Sequence, residues 1–263
     1  MLSWYKANSE GLDVEIKEPN VFVSQIQGPK SMELLNHLID EPIANTWKYF
    51  DWVEITMASE KVIISRTGFT NELGWEIYFR PQNDIEKLGD LILEEGKKMG
   101  MIITATPSFR GRRIEAGLLS AGQDFSNETN PFSVGLGRFV DLEKDNFIGK
   151  KALINADKKC RSWGIRVVDG IAKKGRSIKL NNQCIGKVTS STWSPFQVCG
   201  VGIVLLDKSD LGPETVVDVM CTDEKIHKGE LCRLPMYDPK GEIVRGIDKK
   251  IPTKAEPWSG IKN

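Results

Sequence analysis

Histidine is nearly absent from this chain: His37 and His227 are the only two in 263 residues. His37 falls in an apolar helical pattern and reads as a packed core or edge residue. His227 lies in Lys225-Ile226-His227-Lys228-Gly229, the pattern of a hairpin tip. Without a credible histidine partner, a serine or cysteine triad is disfavoured, and so is a histidine-based metal centre. The five cysteines are odd in number and no two form Cys-x-x-Cys, so neither a zinc site nor a disulfide framework is suggested. They read as reduced, mostly buried thiols. No run of 18 apolar residues is present, and the N-terminus lacks a charged head followed by an apolar core. The expectation is a cytoplasmic protein with no membrane partner. Lys and Arg balance Asp and Glu at 36 each, which argues against a nucleic-acid partner. Phosphate loops are absent too. Gly28-Pro29-Lys30-Ser31 lacks the upstream glycine and the Gly-Lys-Ser/Thr order, and Gly135-Leu136-Gly137 and Gly200-Val201-Gly202 lack the third glycine of a dinucleotide fingerprint. Any chemistry is therefore expected from a bound cofactor and from positioning.

What is present is enough chain for one large domain or two to three smaller ones. Residues 159–263 carry 18 basic against 12 acidic side chains, leaving 18 against 24 in residues 1–158. This sign change supports a domain boundary near residue 158; scattered solvated charges account for it equally well. Residues 12–16 and 21–26 alternate as strands, and Met32, Leu34, Leu35, Leu38 and Ile39 space a helix over 30–39. Residues 52–57 and 61–65 read as a hairpin and 75–79 as another strand. Asn83-Asp84 caps a helix to residue 98 that Gly100 stops. This predicts an α+β fold, an antiparallel sheet with helices on one face. Short helices follow at 107–116 and 147–154. Strands at 163–168, 177–180, 183–190, 200–206, 215–221 and 230–234 predict a small C-terminal β-barrel or sandwich. The expected domains are 1–105, 106–158, 159–248 and a loosely attached tail, 249–263.

One stretch stands out: Arg66-Thr67-Gly68-Phe69-Thr70-Asn71-Glu72-Leu73-Gly74-Trp75-Glu76-Ile77-Tyr78-Phe79. It sets one carboxylate, Glu76, in an otherwise apolar strand, which is costly unless something donates hydrogen bonds to it. A ligand with a planar pair of N–H groups is such a donor; an exposed strand glutamate in a salt bridge is the alternative. Tyr78 shares the face of Glu76, and Trp75 points to the other face, for packing.

Three segments resemble the folate-binding aminomethyltransferase family, that of the glycine-cleavage T-protein. They are Arg66–Tyr78, then Arg113-Ile114-Glu115-Ala116-Gly117, and then Asn130-Pro131 with Gly135-Leu136-Gly137 and Phe147-Ile148-Gly149-Lys150-Lys151-Ala152-Leu153. Ile185-Gly186-Lys187-Val188-Thr189-Ser190 and Ser194-Pro195 are similar to its final β domain. Within the family, Gln25–Ser31, Asn71–Gly74, Arg112–Glu115 with Leu118–Ser120, and Met236–Pro239 are closest to dimethylsulfoniopropionate (DMSP) demethylase, whereas Ala116-Gly117 is glycine-cleavage-like. About a hundred N-terminal residues of the family, most of a small domain, have no counterpart; by resemblance they carry an Asp near the reacting carbon.

The resemblance implies tetrahydrofolate as cofactor and one-carbon transfer as activity. One version demethylates DMSP or a related small-molecule methyl donor to give methyltetrahydrofolate. The other releases an aminomethyl group from a lipoyl carrier protein. A truncated folate-binding module without catalysis is the third reading. In any of the three, the chain is expected to be a monomer or a homodimer. By resemblance, Glu76 receives the pterin edge on both oxygens, Tyr78 lines the pocket and Phe69 stacks on the ring. Arg66 either flanks the site or fixes the turn. Arg113 suits the carboxylates of the folate tail, and Trp193, read at a turn, closes the pocket from the β domain. Glu115 reads as an arginine's ion-pair partner, and Gly68, Gly74 and Gly117 as conformational glycines. No catalytic residue and no metal ligand is assigned.

Overall fold

A computed structural model describes residues 1–44, 47–208, 210–252 and 254–261. The backbone divides into two compact units, residues 1–68 with 72–102, and residues 69–71 with 103–263.

Unit 1 is a four-stranded antiparallel sheet in the order β1-β4-β3-β2, built from β1 (Phe22–Gln27), β2 (Trp52–Met57), β3 (Glu60–Ser65) and β4 (Gly74–Phe79). Ala58 and Ser59 close the β2–β3 hairpin, both at positive φ, as a two-residue turn of this hand requires. On β4, Trp75, Ile77 and Phe79 alternate inward with Glu76 and Tyr78 outward. The inner face packs with Val62, Ile64, Met57 and Ile26 beneath α2 (Ser31–Leu38) and α3 (Ile85–Lys98), which supply Leu34, Leu35, Leu38 and Leu88. The Asp84 side chain caps α3 by accepting from Lys87 N at 3.1 Å, and Gly100 at φ 86° follows its end. His37 is not in this core: its exposed ring lies 3.0 Å from Glu95.

Residues 12–16 form no strand, contrary to their alternation. Their side chains are largely exposed, and among the described residues β1 pairs only with β4 and none gives the segment a ladder. A helix that the periodicity did not reveal, α1 (Leu2–Ala7), buries none of its residues.

Unit 2 holds α4 (Thr106–Glu115), α5 (Lys150–Asn155) and a closed barrel in the order β10-β5-β8-β7-β6-β9. Its strands are β5 (Ser162–Val167), β6 (Ser177–Leu180), β7 (Gln183–Ser194), β8 (Cys199–Leu206), β9 (Val216–Met220) and β10 (Ile226–Cys232). Ile165, Val167, Ile178, Val188, Val204, Val219 and Leu231 fill it. The fold is the α+β sheet followed by a small barrel that the patterning predicts. Helix α4 lies against β7 and β8 and ends in a Schellman turn: Gly117, at φ 67°, and Leu118 donate to the carbonyls of Ile114 and Arg113.

Two expectations are corrected here. Trp193 is not at a turn but within β7, paired with Gly200, because the strand continues past a bulge near residue 189. The described part of the tail is also tied down. Glu256 and Trp258 donate their backbone N–H groups to Phe196 and Gln197, and the Trp258 ring packs on the cluster of Ile114, Cys199 and Met236.

Candidate functional site

The outer face of the unit 1 sheet carries the predicted carboxylate. Gln25 and Ser65 are the cross-strand partners of Glu76, and Val23 and Ile63 those of Tyr78, so these side chains share one face. Glu76 is half-buried. Its Oε2 accepts from Thr67 Oγ1 at 2.5 Å and from Tyr78 Oη at 2.9 Å. Among the described residues no donor reaches its Oε1. No ion pair involving Glu76 is found among the described residues either.

The loop before β4 is pinned where it meets this face. Gln27 Nε2 donates to Thr67 O at 3.3 Å, and Tyr49 Oη to Gly68 O at 2.7 Å. Gly68 and Gly74 have ordinary negative φ, so their role is space rather than conformation; a methyl group on either would collide with the Gln27 carboxamide. Burial pushes the Tyr78 phenol above its ordinary range, and its bond to the Glu76 carboxylate adds to the rise. Tyr49 is raised too, first by burial and also by the Glu76 charge, against a lowering from its bond to Gly68.

Arg66 is buried and serves the loop: its guanidinium donates to Trp47 O, and its backbone bonds Asp51 O and Phe50 N. Burial lowers its pKa, partly offset by Asp51. Of the two roles read for Arg66, this geometry is that of the turn-fixing one.

The other predicted residues belong to unit 2. The Phe69 ring meets Phe109 at 5.7 Å between centroids. Arg113, 4% exposed, donates to Asp124 at 2.7 Å, Ser190 Oγ at 2.8 Å and Leu118 O at 3.0 Å. Asp124 also accepts from Thr189, Ser190 and Ser120 N, so the charge pair is closed upon itself. Glu115 pairs with Arg112 and accepts from Ser194 Oγ, the structural role expected of it. Trp193 is 39% exposed on the barrel. Three clefts of unit 2, about 530, 710 and 290 Å³, are lined by none of the predicted residues.

The structure thus brings together Glu76 and Tyr78 and adds Thr67, Gln27 and Tyr49. Thr67 stands in the quoted motif and was passed over; Gln27 and Tyr49 come from distant segments and carry no local signal of this contact.

A sheet unit with an outward carboxylate, followed by a six-stranded barrel, defines a class of two-part proteins, and comparison gives it a family. The model of the GCVT N-terminal domain matches residues 1–144, and that of the glycine cleavage T-protein C-terminal barrel domain matches residues 161–238. The chain belongs to the glycine-cleavage T-protein family, the folate-binding aminomethyltransferases. The aminomethyltransferase of Caldanaerobacter subterraneus is 33% identical over 210 residues, 78% of this chain and 56% of that protein. That of Alkaliphilus oremlandii is 32% identical over 242 residues, 89% of this chain and 65% of that one. The aminomethyltransferase of Thermotoga maritima is 32% identical over 255 residues, 93% and 67%. The chain therefore spans 56–67% of the length of these relatives. In fold it is similar to glycine cleavage system aminomethyltransferase T from Bartonella henselae, with a TM-score of 0.76 at 21% identity, over 90% of this chain and 65% of that one.

Proposed function

We propose that this chain binds tetrahydrofolate at the Glu76 face and serves one-carbon transfer of the aminomethyl type, with a lipoyl carrier protein bringing the donor. The observation that carries the reading is the half-buried Glu76 carboxylate, with one oxygen fixed by two hydroxyls and Oε1 available to an N–H donor. That donor set fits the amino-pyrimidinone edge of a pterin, and the flat phenols of Tyr78 and Tyr49 suit its ring. When bound, tetrahydrofolate would supply two secondary amine nitrogens, one in its reduced ring and one just outside it, to take up the one-carbon unit. The transferred methylene bonds to both as its bonds to the lipoyl sulfur and the amino nitrogen break. The two displaced protons leave as a thiol and in ammonia. This chain's own part is binding and orientation, in keeping with its want of histidine. Arg113 acts in this reading through the Asp124 cluster at the base of α4, not as a ligand to the folate tail.

A demethylase version rests on Gln25–Ser31, Asn71–Gly74, Arg112–Glu115 with Leu118–Ser120, and Met236–Pro239, which are similar to DMSP demethylase. There a sulfonium methyl would form a bond to a ring nitrogen as the thioether leaves with the electron pair of the C–S bond, and the proton displaced from that nitrogen passes to solvent. Such a donor also needs little acid–base help. The matched relatives, named aminomethyltransferases, favour the first version. Purified protein is titrated with tetrahydrofolate and then given either an aminomethylated lipoyl carrier or DMSP. Methylenetetrahydrofolate with ammonia supports the first version, and methyltetrahydrofolate the second. Binding without turnover leaves a folate-binding module, and no binding contradicts all three.

A further inference from the structure

The proposed site depends on a relay that begins outside the motif. On β1, Gln27 pairs with Gly74 and its carboxamide occupies the space left by the missing side chains of Gly68 and Gly74. From there it donates to the Thr67 carbonyl. The same threonine turns its hydroxyl to Glu76 Oε2, at a distance usual for a hydroxyl on a carboxylate. Tyr78 donates to that same oxygen from two residues along the strand. An sp² carboxylate oxygen has two lone-pair directions, and both are taken on Oε2.

We propose that Gln27 and Thr67 are positioning residues that lock Glu76 so that it receives a single ligand N–H on Oε1, rather than a two-bond fork on both oxygens. This rests on the folate reading of the site. It deepens that reading by fixing which atom recognises the ligand and by assigning the two glycines to Gln27. The fork expected from sequence needs Oε2 as well, so the two geometries respond oppositely to loss of the Thr67 hydroxyl.

The test titrates tetrahydrofolate into the full chain and into Thr67→Val, Thr67→Ser, Gln27→Leu and the Thr67→Val/Gln27→Leu pair. Locking predicts that Thr67→Val binds about 5- to 20-fold more weakly, the loss of one charge-assisted hydrogen bond's preorganisation. Thr67→Ser should stay within about two-fold of the parent, since it restores the hydroxyl. Gln27→Leu should weaken binding alone but add little on top of Thr67→Val, because both act through one oxygen. Equal or tighter binding by Thr67→Val, or additive losses in the double variant, overturns the relay. If the parent itself does not bind, the folate reading falls and the relay falls with it. Hydrogen exchange in the free protein gives a readout independent of ligand. Gln27→Leu should speed exchange across residues 66–74 while leaving α3 unchanged; unaltered exchange there contradicts the role of Gln27.

Discussion

At Glu76 a carboxylate sits half-buried in a strand whose other face is a packed core, and two hydroxyl donors offset its desolvation. Tyr78, one of those donors, has its phenol raised by burial and by the bond itself, so it stays protonated and donating through the range where folates are handled. Folate affinity should therefore be flat from pH 7 to about 9 in the parent, as far as Tyr78 is concerned. Tyr78→Phe should weaken it several-fold without introducing a new pH dependence; an affinity that falls from pH 8 to 9 in the parent alone would argue against a protonated Tyr78. The cysteines give a second residue-level expectation. Burial pushes the thiols of Cys199, Cys221 and Cys232 up to about 11, while Cys160 and Cys184 are exposed. Iodoacetamide at pH 8 should label two thiols in the native protein and all five after denaturation. The linked stability change has a definite sign. The unfolded thiols lose protons first, so stability falls as pH rises from about 9 toward about 11. A denaturation midpoint rising over that range would contradict it.

Among the elements, β4 was the most legible, because strict alternation put Trp75, Ile77 and Phe79 on one face and Glu76 and Tyr78 on the other. The hairpin, α3 and the barrel strands were legible for the same reason of period and punctuation. Residues 12–16 misled because alternation says that a segment can be a strand, not that a partner exists for it. The partners of Glu76 were only partly legible. Gln27 and Tyr49 arrive from segments 40 and 19 residues away from the carbonyls they bond, and side-chain contacts at that separation leave no spacing to read. Trp193 was misplaced because a bulge carried β7 onward beyond its regular register. Helix α4 rests on a closed polar cluster, and this is where Arg113 belongs. Its partner Asp124 accepts from four groups while fully buried. Asp124→Ala should therefore cost about 3–5 kcal/mol in urea denaturation, by leaving a buried guanidinium unpaired. A loss under about 1 kcal/mol, the worth of an exposed pair, would show that the cluster is not closed.

Across the whole molecule, the scarcity of histidine, the lack of a phosphate-loop motif in the sequence and the outward Glu76 carboxylate of β4 all fit the proposed reading. On the proposed reading, any catalysis arises from holding reactants, with the one-carbon chemistry lying in the folate and its donor. Membership of the glycine-cleavage T-protein family gives that reading its context, and the donor assays decide between aminomethyl and methyl transfer. The central claim is that Glu76 receives the pterin. It is tested most directly by calorimetric titration of tetrahydrofolate into the parent and Glu76→Gln proteins under the same conditions. Replacing the charged acceptor by an amide should weaken binding by about 1–3 kcal/mol, or roughly 5- to 150-fold, with the melting temperature little changed. Affinity unchanged within two-fold in a folded Glu76→Gln protein would contradict the account.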